Sequence, residues 1–361
     1  MSGPREEPTA VSDMDFVPPR CPNRLCRAHH SPAPRFYLRQ GSYQPQYRTE
    51  PVPRFECRLC RRGFSRQTFR LDYRDKRPQL NAPLFGLLAS GVGLRQAARV
   101  LRMAVGPVQR KFRKIGRHLR LLNRNLLSGL PAHRTLLLDE MESFEHRSIT
   151  PLTIAVLIDR SSKFVIAADV APIRRVAKQG SRRQRRLERY EAKAGKRQDH
   201  SRNCVRRVFG RMQRLLQGQA ADLVTDEKQL YARLCGRRFG QQVLHRTVSS
   251  KLPRTAYNPL FAINLTDAML RDNNGRLRRR SWLVSKHRRF LRLQLEIFAA
   301  YRNWHRRRHN DDAEDFTPGV ALKLTSRRIE GDELVAWRQD WRLQSIHPCS
   351  ATGLETVQQA A

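Results

Sequence analysis

The sequence predicts a multidomain chain: a small cysteine-knuckle ribbon, an all-α helix-turn-helix, and an α/β domain on a mixed five-stranded sheet. Three observations predict it. Two close cysteine pairs, Cys21 with Cys26 and Cys57 with Cys60, stand near the start. Between Asn81 and Leu122 apolar residues recur at helical spacing around two glycine-bearing breaks. From Thr135 to Val170 come three short runs rich in Leu, Ile and Val, and two more follow at 221–226 and 242–248.

Charge bounds the partners first. The 361 residues hold 71 Lys and Arg against 32 Asp and Glu, a formal net charge of +39. Such a charge favours polyanions, because neutralising phosphates releases condensed counterions. A membrane partner is not expected, since no uninterrupted run reaches the roughly 18 apolar residues of a span. The opening residues have no apolar core of a secretory leader. Seven cysteines are an odd number, and the pairing of four of them suggests a reducing, cytoplasmic setting and a metal rather than a disulfide framework.

In chain order, residues 1–18 are rich in Pro, Glu and Ser and are expected to be a disordered lead. A ribbon is expected over 19–66. Cys21, Cys26, Cys57 and Cys60 suit a tetrahedral thiolate site for a structural Zn²⁺, with Phe36-Tyr-Leu and Phe55 supplying strands between the knuckles. His29 or His30 could stand in for one cysteine. The stretch from Phe64 to Pro78 reads equally as a phosphate contact or a solvated linker.

A helix-turn-helix is expected over 79–125. Pro83 to Ser90 is apolar on one face, Leu94 to Met103 carries small inward residues, and Pro107 opens a third helix with Val108, Phe112, Ile115, Leu119 and Leu122 inward. Its outward face carries Gln109, Arg110, Arg113, Lys114 and Arg117, suited to phosphates and base edges.

The α/β domain is expected over 134–308. The three apolar runs read as an antiparallel meander in a well-buried sheet, the first strand ending in the carboxylates Asp139-Glu140. A basic insertion is expected over 172–202, with a nonspecific phosphate role. An amphipathic helix over 203–217, a strand ending at Asp226, a helix and a further strand follow. The helix from Leu260 to Arg271 carries Asn264, Asp267 and Arg271 on one face, and Arg278 to Arg308 reads as a long basic helical region. Residues 309–361 form a C-terminal appendix behind the acidic stretch Asp311–Asp315, with a frayed end. Glu140, Glu142 and Asp159 read as bystanders, and Cys204, Cys235 and Cys349 as plain thiols.

This order resembles the RNase H-like core of DDE transposases, and with the ribbon and helix-turn-helix in front it is similar to transposases of compact bacterial insertion sequences. The resemblance covers roughly Cys21 to Pro318. It rests on Leu-Leu-Asp139-Glu140, Val-Thr-Asp226 with Tyr231, His245, Ile263-Asn264-Leu-Thr-Asp267-Ala-Met-Leu-Arg271, Leu277-Arg-Arg-Arg-Ser-Trp282 with Ser285-Lys286, and Tyr301-Arg-Asn303. It implies a cytoplasmic, nucleoid-associated protein that binds terminal inverted repeats and target DNA, works as a dimer or larger, and cuts and joins strands with two Mg²⁺ or Mn²⁺ ions about 4 Å apart. Asp139 would bridge both ions and Asp226 hold one. Arg271 and Lys286 would contact phosphate. The family's third carboxylate, a Glu, is replaced by Asn264, and Asp267 stands where an Asn is usual. Asn264 as the primary ligand with Asp267 in support, Asp267 as the ligand, or a dead site in a DNA-binding protein are the three readings of that departure.

Overall fold

The apolar runs become strands, and their burial accounts for their composition. A computed structural model describes residues 16–44, 51–174, 176–249, 251–253, 255–278 and 282–339. They fall into two compact units: the described residues of Met1–Pro78 with those of Ala336–Ala361, and Gln79–Val335.

The first unit has an aromatic core in place of an aliphatic one. A short helix α1 (Arg27–His30) precedes three antiparallel strands in the order β1 (Tyr37–Tyr43), β2 (Val52–Cys57), β3 (Gly63–Ser65). Phe36, Phe55, Phe64 and Phe69 are buried with Cys21, Cys26 and Cys57. Residues 1–15 of the expected lead lie outside the described residues. Phe16 does not belong to a lead: its ring meets Phe55 edge-on at 5.7 Å and packs on the same cluster, so the ribbon begins there.

In the second unit, α2 (Asn81–Ala89), α3 (Leu94–Val100) and α4 (Val105–Leu126) are the three expected helices. They share a compact unit with the sheet. The sheet runs β6 (Val165–Pro172), β5 (Pro151–Asp159), β4 (Arg134–Phe144), β7 (Ala221–Asp226), β8 (Val243–Val248). The pairs β4–β5 and β5–β6 are antiparallel, whereas β4–β7 and β7–β8 are parallel. This mixed five-stranded sheet with its helices fits an RNase H-like core. Every residue of β5 is buried, which is why it reads as a near-continuous apolar run. Its terminal Asp159 is buried as a turn clasp, accepting from Ser161 Oγ, Ser162 N and Ser162 Oγ at 2.6–2.8 Å.

Helices cover both faces. The basic insertion contains α5 (Arg182–Ala194), a helix with no buried side chain, and leads into α6 (Ser201–Leu216), which packs on β5 and β6. The helix α7 (Gln229–Phe239) joins β7 to β8, and α8 (Phe261–Asp272) and α9 (Arg288–Ala300) cover the other face. The long helix expected from Arg278 to Arg308 is shorter: α9 is followed by a π-helical turn, Tyr301–His305. Ahead of it, Ser285 is fully buried and bridges Glu145, which holds the chain extended where a helix was expected. The expected appendix 309–361 divides. Helix α10 (Pro318–Ala321), capped by Thr317, lies in the second unit, α11 (Gly331–Ala336) closes it, and residues 340–361, Cys349 included, lie outside the described residues. No helix among the described residues is long and apolar enough to cross a membrane.

One contact ties the helices to the edge of the sheet, and two more tie the helices to one another. Asn303 caps the edge strand β6 as a neighbouring strand would: Val165 N donates to its Oδ1 at 2.8 Å, and its Nδ2 donates to Val165 O at 2.9 Å. The next residue, Trp304, is fully buried and donates to Asn123 of α4 at 2.9 Å. Helix α4 approaches α9 closely at Gly116, where an added Cβ would stand 2.7 Å from Leu293 Cβ and 3.2 Å from its carbonyl oxygen. Gly116→Ala therefore costs about 1–3 kcal/mol of stability through overpacking. Gly106→Ala, whose Cβ would meet nothing nearer than Arg110 at 4.0 Å, is neutral or slightly stabilising. Denaturant unfolding of the two variants measures the contrast.

Candidate functional site

The ribbon gathers its four cysteines. The sulfurs of Cys21, Cys26, Cys57 and Cys60 all lie within 4.8 Å of one another. Cys21 and Cys60 are 3.6 Å apart and Cys26 and Cys57 3.8 Å apart. A tetrahedron of thiolates at the usual zinc–sulfur distance has edges of about 3.8 Å, so the donor set could hold zinc. The histidines do not stand in: His29 Nδ1 lies 2.7 Å from Cys21 O, and His30 Nε2 lies 2.8 Å from Arg24 O. Burial pushes the Cys21 and Cys26 thiols above their ordinary range, a cost that a bound cation offsets. Burial acts in the same direction on Cys60. Hydrogen bonds from the Arg62 backbone and the Asn23 side chain outweigh it and bring that thiol to about 7.

The second candidate site lies at the centre of the sheet. Parallel pairing of β4 with β7 ends at Leu137 and Val224. Asp139 and Asp226 each stand two residues further, in matching register. Their neighbours at two residues' spacing, Leu137, Met141 and Val224, belong to the cluster packed under α8 and α9. Alternation therefore puts both carboxylates on that face. The strand β4 does not end at Asp139-Glu140 as expected. It continues to Phe144, paired with β5 throughout, because β5 supplies a partner where β7 no longer does. Asp139 is thus mid-strand, directly opposite Val156.

Helix α8 carries Asn264 and Asp267, expected at the third position. Asp267 falls on its buried stripe with Ile263, Thr266 and Leu270, whereas Asn264 and Arg271 are half-buried. Among the described residues the four cysteines are the one group of three or more His, Cys, Asp or Glu with ligand atoms so close. Asp139, Asp226 and Asp267 do not make a second.

The opposite face of the same strands carries a polar network that sequence reasoning missed. Glu140, expected as a bystander, has a buried carboxylate. It accepts from Thr153 Oγ1 and Tyr231 OH, each at 2.8 Å, and pairs with Lys228. Burial, then Glu140, Asp226 and Asp139, push the Tyr231 hydroxyl far above its ordinary value, so it stays a donor. Thr225, next to Asp226, donates to Asp226 O at 2.8 Å and lies 2.9 Å from His245 Nε2. Asp226 Oδ1 accepts from Lys228 N at 3.1 Å, an Asx turn ahead of α7. Each front carboxylate therefore follows or precedes a residue pinned at the back. The signal in the sequence was only Glu140's place one residue after Asp139.

The expected phosphate contacts are dispersed. Gln109, Arg110 and Arg117 are exposed on α4, with Arg113 and Lys114 half-buried. Lys286 is exposed immediately after Ser285, whose carbonyl accepts from His146 N at 3.0 Å just past the end of β4. Tyr257 and Trp282 are each 96% exposed.

No protein-family model matches the chain. No curated protein matches it either. Among the solved structures that align with it are the following two. One is a simian T-cell lymphotropic virus intasome in complex with PP2A regulatory subunit B56 gamma, at 13% identity over 67% of this chain and 74% of the other, with a TM-score of 0.28. The other is the Mos1 strand transfer complex, at 13% identity over 71% of this chain and 77% of the other, with a TM-score of 0.27. At such TM-scores neither likeness carries weight; the chain's own strand order and carboxylates do.

The cysteine geometry predicts one zinc per chain by metal analysis. A strong chelator, or Cys26→Ala with Cys57→Ala, removes the zinc and abolishes the ordered structure of the ribbon, since structural zinc contributes about 10–16 kcal/mol in small modules. A wild-type preparation with no bound zinc, and no gain in stability on adding it, contradicts the assignment.

Proposed function

We propose that the chain is a DDE-type transposase of a bacterial insertion sequence, which binds terminal inverted repeats and catalyses metal-dependent DNA strand cleavage and strand transfer. The observation that carries the proposal is the matched register of Asp139 and Asp226 on adjoining parallel strands of a mixed sheet of RNase H-like order. The donor set is oxygen, which suits a hard cation such as Mg²⁺ or Mn²⁺. Asp139 and Asp226 would hold the ions, with Asn264 as third ligand through its carbonyl oxygen and Asp267 in support. Bound there, the metals supply activation of a water or 3′-hydroxyl and charge neutralisation at the phosphoryl group.

The chain's own residues do the rest. Glu140, Tyr231 and Thr225 fix the two strands from behind, so that the carboxylates meet the metal without reorganising. Arg271 and Lys286 clamp phosphate. The outward face of α4 reads the repeats, and the exposed rings of Tyr257 and Trp282 offer stacking surfaces to unpaired bases. Zinc holds the ribbon as a structural element. Joining two transposon ends to a target calls for a dimer or larger on DNA.

One observation favours a second reading. Asn264 brings no charge, and Asp267 is buried on the inner stripe of α8, as in a transposase-derived DNA-binding protein that no longer cuts.

Cleavage and joining of DNA carrying the flanking terminal repeats, with Mg²⁺ or Mn²⁺, separates the two. Wild type cuts and joins, and Asp139→Asn lowers the rate roughly a hundredfold or more by removing a metal ligand. Asn264→Ala and Asp267→Ala identify the third ligand by which of them abolishes the reaction. Tight repeat binding with no cleavage under either metal contradicts the enzyme and favours the second reading.

A further inference from the structure

Away from the carboxylates, on the outer edge of the sheet, the second unit has a cavity of about 650 Å³ lined by α4, β6, α6, α7 and α9. Its lining holds eight arginines against two carboxylates, Asp169 and Glu296. The two acids are spent on three of these arginines. Asp169 pairs with Arg207 and, at 2.7 Å, with Arg292, and Glu296 pairs with Arg120 at 3.3 Å. Arg211 donates to Leu127 O at 3.0 Å. Arg124 on α4 and Arg206 and Arg214 on α6 are exposed, and among the described residues no carboxylate pairs with them. Burial lowers the Arg211 guanidinium below its ordinary value, and the charges of Arg124 and Arg214 beside it lower it further. Glu296 acts on Arg124 and Arg211 as well as on Arg120, so one acid only partly balances the like charges that crowd this rim.

The floor says what kind of polyanion fits. It is formed by Val165, Ile166, Ala167 and Ala168 of the edge strand. The single aromatic residue in the lining, Phe164, is fully buried against Trp304, so no ring is offered to a base. Recognition here is of a charged backbone, which arginine's planar fork holds through two phosphate oxygens at once. Ala168 pairs with Val156, which pairs with Asp139, so the groove lies level with Asp139 but two strands away, about 10 Å across the sheet.

We infer that this arginine-rimmed groove at the β6 edge is a second DNA site, which holds the phosphodiester backbone of duplex DNA independently of sequence through Arg124, Arg206 and Arg214. It rests on the reading of the chain as a DNA-acting protein and adds a contact that the metal site and the outward face of α4 do not include. A duplex bound at the carboxylates would be gripped a second time where it passes the outer edge of the sheet.

The test is binding of a 30-base-pair duplex of arbitrary sequence by the full zinc-loaded chain, followed by fluorescence anisotropy across a salt series. The triple variant Arg124→Glu, Arg206→Glu, Arg214→Glu is expected to bind at least tenfold more weakly at low salt. Its slope of log affinity against log salt should be shallower by about 2–3, near 0.9 for each phosphate that is no longer neutralised. The matching triple Lys variant, with its charge kept, retains most of the slope, and circular dichroism and thermal melting show whether each variant is folded. A folded Glu variant with wild-type affinity and slope overturns the groove while leaving the DNA-acting reading intact. A wild-type chain that binds no duplex overturns that reading and the groove with it.

Discussion

The geometry of the sheet centre depends on where one strand runs out of a partner. β4 pairs with β7 only as far as Leu137, yet it goes on pairing with β5 for seven more residues, to Phe144. Past Leu137 and Val224, where the parallel pairing stops, Asp139 and Asp226 stand at matching positions on the two strands and on the same face of the sheet. Two like charges set together oppose folding unless a cation or cationic groups balance them. In a chain with an excess of basic residues this acidic pair is the exception, and the antiparallel half of the sheet is what holds it in position.

The back of the sheet explains how. Glu140 and Thr225 point away from the site, and both are tied: Glu140 to Thr153, Tyr231 and Lys228, Thr225 to the Asp226 carbonyl and His245. A buried carboxylate is tolerated only when its oxygens are satisfied and its charge is paired, and Glu140 meets both conditions. The network joins β4, β5, β7, α7 and β8, so the elements that carry the front carboxylates are tied to one another. On the outer edge Asn303 and the pair of arginines on Asp169 do a related job, closing β6 against pairing with another chain.

The strands and the cysteine site were legible in the sequence for physical reasons. A sheet covered on both faces needs uninterrupted apolar runs, and a thiolate site needs paired cysteines at short spacing. The true end of β4 was not legible, because Glu140-Met-Glu-Ser-Phe144 is polar by composition and is kept in the sheet by β5. The stretch from Arg278 to His287 reads as helix by its long basic side chains, yet the buried bridge of Ser285 to Glu145 overrides that propensity. The role of Glu140 and the arginine groove had no local signature. The first depends on Tyr231, 91 residues away, and the second on side chains from four helices. Helical spacing put Asn264 and Asp267 on one face, and the resemblance singled them out as the third position, but neither distinguishes a ligand from a buried neighbour.

The most direct test of the central claim is Mn²⁺ binding to the zinc-loaded chain, followed by electron paramagnetic resonance without DNA. If Asp139 and Asp226 form one metal site, wild type quenches the free Mn²⁺ signal and Asp139→Asn and Asp226→Asn each lose that quenching while keeping the fold. Equal Mn²⁺ binding by wild type and both variants would contradict the account, and would leave the two carboxylates as neighbours in a sheet with no shared ligand.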